Sequence, residues 1–276
     1  MEGKTQEQQY YYKGFSSSIG DTHRWRTVEK CLKFMLPYVR STDHVLDVGC
    51  GVGTITCDFG QYVPHGKVIG VEPTKEVLEE AVLLRDRQKK ENVSFELASA
   101  YELPYKDNTF DIVFCHQVLV HLQDQVTALR EMKRVVKPNG FICCKEADIS
   151  SMVVSPTKYS EKIRAFFMKE SVNLALGRSL KEKALASGFD AEHVDFSFDN
   201  YCTSKDEDRA VWSEMFIKRA LTGNESIISD PETDKKIKED FVACVKDWGS
   251  DKSAVVIINN GQLVYKNKKI NNLEYV

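Results

Sequence analysis

In the first half of the chain, short apolar runs alternate with stretches of helical spacing. Residues 44–48, 67–71, 93–97, 111–115 and 140–147 read as strands, with helices at 54–63, 75–90 and 123–136 between them. Val93, Phe95 and Leu97 alternate with polar residues, as a half-covered strand does, whereas Phe141-Ile142-Cys143-Cys144 is continuously apolar and suits burial on both faces. A helix over Thr27–Leu36, ending before Pro37, is expected ahead of the first strand. After Asp148 helical patterns dominate. Ile163, Phe166 and Phe167 with Val172 or Leu174 form one apolar stripe; Trp212, Met215, Phe216 and Ala220 form a second; Ile237, Phe241, Val245 and Trp248 form a third. A helix at 179–187 and strands at 194–201 and 254–265 complete the pattern. It predicts an α/β fold: a doubly wound, seven-stranded, mostly parallel sheet with an antiparallel last strand, plus helical lid insertions.

The chemistry concentrates where the first predicted strand meets the first helix, at Val45-Leu46-Asp47-Val48-Gly49-Cys50-Gly51-Val52-Gly53-Thr54. Gly49, Gly51 and Gly53 let the backbone turn sharply and approach a ligand without Cβ interference. A dinucleotide site wants G-x-G-x-x-G to lay a pyrophosphate on the helix N-terminus. Here the spacing is G-x-G-x-G, with Asp47 inside the strand end. A carboxylate there repels a phosphate but favours a cationic amino-acid moiety. S-adenosylmethionine carries such a moiety and no phosphate. Glu72, at the end of the second strand, is placed to accept hydrogen bonds from both ribose hydroxyls.

At these residues the chain resembles the class I S-adenosylmethionine-dependent methyltransferases, particularly the small-molecule branch that includes the ubiquinone and menaquinone biosynthesis enzymes. Leu103-Pro104-Tyr105, Phe110-Asp111-Ile112-Val113-Phe114, Val118-Leu119-Val120-His121-Leu122 and Lys137-Pro138-Asn139-Gly140-Phe141 look like that family's later motifs, in order. The resemblance implies a methyltransferase with S-adenosyl-L-methionine as cofactor. It implies that Gly49, Gly51, Gly53 and the backbone near Cys50 pass under the methionine part, with Asp47 at its ammonium group and Glu72 at the ribose. Pro73 and Ser99-Ala100-Tyr101 would flank the adenine. Ser99 stands where the family commonly has an aspartate, and its hydroxyl can accept the same bond. His116 and Gln117 would face the methionine end beside the acceptor. His121 fits the family's Leu-x-His-Leu pattern. Either histidine could take a proton from the acceptor or merely position it, and His121 could instead fix a helix start. Arg26, in a stretch resembling one ahead of the first strand in some members, could pair with the donor carboxylate, and the run containing Tyr11 could close over the donor.

On this reading residues 1–36 form an N-terminal cap and helix, and 37–150 the Rossmann-like S-adenosylmethionine-binding core. Residues 151–276 hold the remainder of the core, with insertions at about 151–178 and 205–250 above the strand ends and a final strand. Phe166, Phe167, Trp212 and Phe216 point either to an aromatic or hydrophobic small-molecule acceptor or to helix packing. A nicotinamide dehydrogenase conflicts with the glycine spacing. A macromolecular methyltransferase of the amide or base type would carry Asn-Pro-Pro-Tyr or Asp-Pro-Pro-Tyr where Cys115-His116-Gln117-Val118 stands. A macromolecular methyltransferase and a catalytically silent binding or scaffold protein stay as the alternatives.

The 276 residues carry a net charge of −3 and a pI near 6.1, which gives no global attraction to nucleic acid. The N-terminal sequence has no apolar signal core and no later stretch could span a bilayer, so a cytoplasmic protein is expected. Eight cysteines without a C-x-x-C pair read as reduced thiols, mostly buried, with no metal site.

Overall fold

The computed structural model describes residues 23, 25–170, 173–222 and 230–268. Tyr11 and the tyrosine run lie outside them. Seven strands form one sheet: β1 (His44–Val48), β2 (Lys67–Glu72), β3 (Val93–Leu97), β4 (Phe110–His116), β5 (Val136–Ser155), β6 (Val194–Thr203) and β7 (Val255–Lys266). They lie side by side in the order β3-β2-β1-β4-β5-β7-β6. The first five pair in parallel, and β7 runs antiparallel to both of its neighbours, as the sequence pattern predicts. The order reverses between β1 and β4, and the crevice outside the carboxyl ends of these two strands is where such sheets bind ligands.

Eight α-helices are assigned among the described residues. α1 (Val28–Cys31), α2 (Thr54–Phe59), α3 (Lys75–Gln88) and α4 (Gln125–Val135) belong to the first half; α5 (Ser160–Glu170), α6 (Leu176–Ala186), α7 (Asp206–Thr222) and α8 (Pro231–Ser250) to the second. α4 starts where the Asp124 carboxylate accepts from the Thr127 N–H at 3.0 Å, and it buries Ala128, Leu129, Met132 and Val135 along one face. That face packs on Leu46, Val113 and Ile142 of the sheet. On the other side Val45, Ile112 and Phe114 pack against Phe59 of α2 and Leu32. Each such fully buried apolar side chain contributes roughly 1.5–3 kcal/mol.

Three elements differ most from the sequence pattern. The expected helix over 27–36 is α-helical only to Cys31, and a 3₁₀ segment then continues through Pro37 to Tyr38. Tighter turns spare the chain the clash a proline makes inside an α-helix. The helix expected to reach residue 63 ends at Phe59, followed by Gly60. β5 is far longer than 140–147, because pairing resumes after two irregularities. Its partners pass from Phe110↔Val136 to Ile112↔Phe141, and from Asp148↔Asn259 to Val153↔Ile257. The stretches at 137–139 and 148–152, outside the strand that the sequence pattern predicts, are irregularities within one strand.

The helical insertions have a core of their own. Phe166 of α5 stacks on Phe241 of α8 with ring centroids 3.9 Å apart, and Trp212 of α7 meets Trp248 of α8 at 5.0 Å. Met152, Val154 and Val256, from the outer ends of β5 and β7, complete it. No helix among the described residues is long and apolar enough to cross a membrane.

Candidate active site

A cavity of about 300 Å³ opens at the switch point, within the size range of small-molecule sites. Its floor is the loop between β1 and α2. The N–H groups of Gly49 and Cys50 both donate to the Val71 carbonyl, at 2.8 and 2.9 Å, which ties the loop to β2. Gly49 has φ +75°, and a Cβ there would stand 2.5 Å from Val118 Cγ2, so only glycine fits. Gly51 has φ +54° and open space around its α-carbon, leaving a backbone cradle on the cavity wall. Gly53 serves otherwise than expected: it is the left-handed N-cap of α2, its missing side chain makes room for Phe95 and Ala81, and it does not line the cavity.

Asp47 is 3% exposed, and its Oδ2 accepts from Thr56 Oγ1 at 2.6 Å. Burial pushes its carboxyl up to about 7 against the pull of that hydrogen bond, and the Glu72 charge adds to the rise. Glu72 Oε2 accepts from the Gly51 N–H and its Oε1 from the Thr74 N–H, both at 3.2 Å. Pro73, Ala98 and Ala100 continue the wall. Ser99 and Tyr101 are not on it. The Ser99 hydroxyl accepts from the Tyr101 N–H at 3.1 Å, and the Tyr101 hydroxyl accepts from the N–H groups of Gln123 and Asp124, both at 3.2 Å. These bonds hold the Ser99 hydroxyl on the backbone of its own turn and the Tyr101 hydroxyl at the start of α4. Of the four residues expected beside the adenine, Pro73 and Ala100 face the cavity and Ser99 and Tyr101 do not.

At the end of β4, His116, Gln117 and His121 all line the cavity, together with Arg26 from the N-terminal segment. Gln117 has φ +58°, and its amide is committed on both sides: Oε1 accepts from the Ala147 N–H at 3.1 Å, and Nε2 donates to Asn260 Oδ1 at 3.0 Å. His116 Nδ1 is buried with no hydrogen-bond partner among the described residues. Burial, then the charges of Arg26 and Lys145, hold the His116 imidazole well below its ordinary pKa. Burial, then Arg219 and Arg26, bring His121 down to about 3. Both rings are therefore neutral at physiological pH.

Sequence reasoning missed Glu146. It is fully buried on β5, and its carboxylate accepts from three consecutive N–H groups of the loop after β4: Val118 and Leu119 at 3.0 Å and Val120 at 3.1 Å. Burial raises its pKa to about 7 in spite of these bonds. Also missed were His23, Tyr201, Asn260, the Lys145–Asp199 ion pair at 2.7 Å, and Arg219, all on the cavity wall. Arg219 had a legible signal: it stands seven residues beyond Trp212, on the apolar stripe of α7. Phe167, Trp212 and Phe216 both belong to the insertion core and face the cavity, so packing and lining are not alternatives for them. Six of the eight cysteines are buried, Cys50 is half-buried in the loop and Cys202 is exposed. No group of three or more His, Cys, Asp or Glu side chains that could hold a metal ion occurs among the described residues.

The model of a methyltransferase domain family matches residues 40–185. An uncharacterised methyltransferase of Schizosaccharomyces pombe is 44% identical over 96% of this chain and 99% of its own length. A demethylmenaquinone methyltransferase of Symbiobacterium thermophilum is 38% identical over 40% of this chain, a match that spans 45% of that enzyme. The crystal structure of the YcgJ protein of Bacillus subtilis superposes with a TM-score of 0.59 at 20% identity, covering 87% of this chain and 99% of that one, which is a likeness of fold.

Proposed function

Because the chain belongs to the methyltransferase domain family and is a methyltransferase, we propose that it takes a methyl group from S-adenosylmethionine and delivers it to a small organic acceptor held under the helical insertions. The observation that carries this reading is the continuity of one cavity, from Asp47 and Glu72 at the sheet to Trp212 and Arg219 on α7. A donor and an acceptor bound at its two ends would meet inside it, shielded from water. The demethylmenaquinone methyltransferase among the relatives is named for a small-molecule acceptor, which supports the same class here.

The residues present fit the donor. The open cradle at Gly51 admits a ligand against bare backbone, and the two carboxylates suit an ammonium group at Asp47 and ribose hydroxyls at Glu72. When bound, the donor supplies an electrophilic methyl group on a sulfonium sulfur. Arg26 offers a guanidinium for the donor carboxylate. Ala98, Ala100 and Pro73 leave an apolar slot for the adenine. His116, neutral and buried, acts as a positioning group toward the acceptor, since an imidazole held so far below its ordinary pKa is a poor proton acceptor. Gln117 and Glu146 hold the loop that carries these groups.

The reading is tested by titrating the chain with S-adenosylhomocysteine in a calorimeter and then assaying methyl transfer from labelled donor to a panel of small aromatic and aliphatic acceptors. One-to-one binding with transfer to a panel member is expected. Binding without any transfer would favour a silent binding protein, and absence of binding would reject the donor site.

A further inference from the structure

One charged pair on the cavity wall belongs neither to the glycine loop nor to the aromatic helices. Lys145 of β5 and Asp199 of β6 both line the cavity, and Lys145 Nζ donates to Asp199 Oδ2 at 2.7 Å, an ion pair that spans β7. Lys145 is 6% exposed, so its charge is taken largely out of water, a cost that the carboxylate offsets. The two partners differ in what they leave over. Asp199 Oδ2 accepts a second bond, from Gln262 Nε2 at 3.2 Å, and Oδ1 accepts from the Asn200 N–H at 2.7 Å. An ammonium has three N–H donors, and among the described residues Lys145 Nζ has one hydrogen-bonding partner. Lys145 pairs with His116 across the parallel β4–β5 ladder, and the Gln117 N–H donates to the Lys145 carbonyl at 2.9 Å, so the Lys145 and His116 side chains stand side by side on one face of the sheet. The Lys145 charge bears on His116 of β4 and on Cys31 of α1, both of which line the cavity, so the ammonium faces into it.

We propose that Lys145 selects the acceptor, donating a hydrogen bond to an oxygen of that molecule, a carbonyl or a hydroxyl, beside His116. The proposal rests on the donor reading above. A neutral oxygen is enough, because Asp199 stays paired with Lys145 and no charge is left over for the acceptor to balance. Hydrogen bonds from an ammonium to oxygen are stronger than those between neutral groups. An acceptor without such an oxygen would take water from the remaining N–H groups and leave them bare, a penalty that falls on its binding. A protonated amine would meet the ammonium donor to donor, and the carboxylate that could draw it already accepts three bonds. The rest of the acceptor meets apolar side chains of the same cavity, Ile149, Ile258 and Phe216 among them.

The test uses three probes of similar shape: acetophenone, α-methylstyrene, in which a methylene replaces the carbonyl oxygen, and protonated 1-phenylethylamine. Each is titrated at pH 7.5 against the full chain saturated with S-adenosylhomocysteine and followed by ligand-observed NMR. The ketone is expected to bind the native chain, and more tightly than the amine. The ratio of ketone to alkene affinity should fall at least about tenfold in Lys145→Met and recover most of that in Lys145→Arg, with S-adenosylhomocysteine affinity within about threefold of native in both. Lys145→Met/Asp199→Asn, which leaves no lone carboxylate, should show the same fall, and it decides if Lys145→Met does not fold. No binding of the ketone, tighter binding of the amine, or an unchanged ratio in the folded variant would overturn the proposal. Failure of S-adenosylhomocysteine to bind would instead remove the donor reading beneath it.

Discussion

Asp47 shows how one side chain joins stability to ligand recognition. Its carboxyl is raised from 3.8 to about 7, so the fold favours the protonated form. The sign follows by linkage: its contribution to stability is fully present below pH 3.8 and is lost as pH rises through 7. Between pH 6 and pH 8 the native chain should therefore lose about 1 kcal/mol more stability than Asp47→Asn, measured by denaturant unfolding without ligand. The buried Glu146, common to both proteins, cancels in this comparison. A cation beside Asp47 would drive the proton off, so binding of S-adenosylhomocysteine near pH 6.5 should release protons, read by calorimetry in buffers of different ionisation enthalpy. His116 gives a second prediction. As a neutral positioning group it should tolerate replacement by glutamine with less than about a tenfold loss of kcat and an unchanged pH–rate profile, whereas loss of a general base costs roughly 10²–10⁴-fold. Asp47 and Glu72 were legible in the sequence because each sits at the end of an apolar run beside a glycine pattern. Glu146 was not. Its partners are the amides of residues 118–120, and within its own apolar strand nothing marked it except the charge itself.

The elements divide by how local their causes are. β1, β2 and β4 are legible because each is a short apolar run with clear ends, β3 because its apolar and polar residues alternate, and α4 because its cap and periodicity agree. β5 was cut short because Lys137-Pro138-Asn139-Gly140 and Asp148-Ile149-Ser150-Ser151 look like loops, and only pairing with β4 and β7 across the bulges keeps them in the strand. The stripes of α5, α7 and α8 were visible, but their mutual packing depends on contacts between distant segments. Phe241 is 1% exposed and stacks on Phe166, so Phe241→Ala should cost about 3–5 kcal/mol by denaturant unfolding. The loop after β4 hangs on Glu146. Glu146→Gln, which replaces one acceptor oxygen by a donor facing N–H groups, should lower kcat by at least about tenfold while leaving S-adenosylhomocysteine affinity within threefold. An equal loss in both quantities would mean that the change spreads beyond the loop.

Across the whole molecule, two layers of structure meet at one cavity. The sheet, with its order reversing between β1 and β4, presents a glycine loop and two carboxylates, and the insertions add aromatic side chains to the same cavity. The glycine loop proposed for the donor is a contiguous stretch of chain, Gly49 to Gly53, which is why it could be read from spacing alone. The half proposed for the acceptor is assembled from the N-terminal segment, the end of β4, residues within β5, β6 and β7, and α5 and α7, so no single motif encodes it. Calorimetric titration of S-adenosylhomocysteine into the native chain, Asp47→Ala and Glu72→Ala, each verified as folded by circular dichroism, tests the donor site most directly. The expected result is one-to-one binding to the native chain, weakened by roughly 1–3 kcal/mol in each variant, as charged hydrogen bonds are lost. Undetectable binding to the native chain, or equal affinity in all three folded proteins, would contradict it.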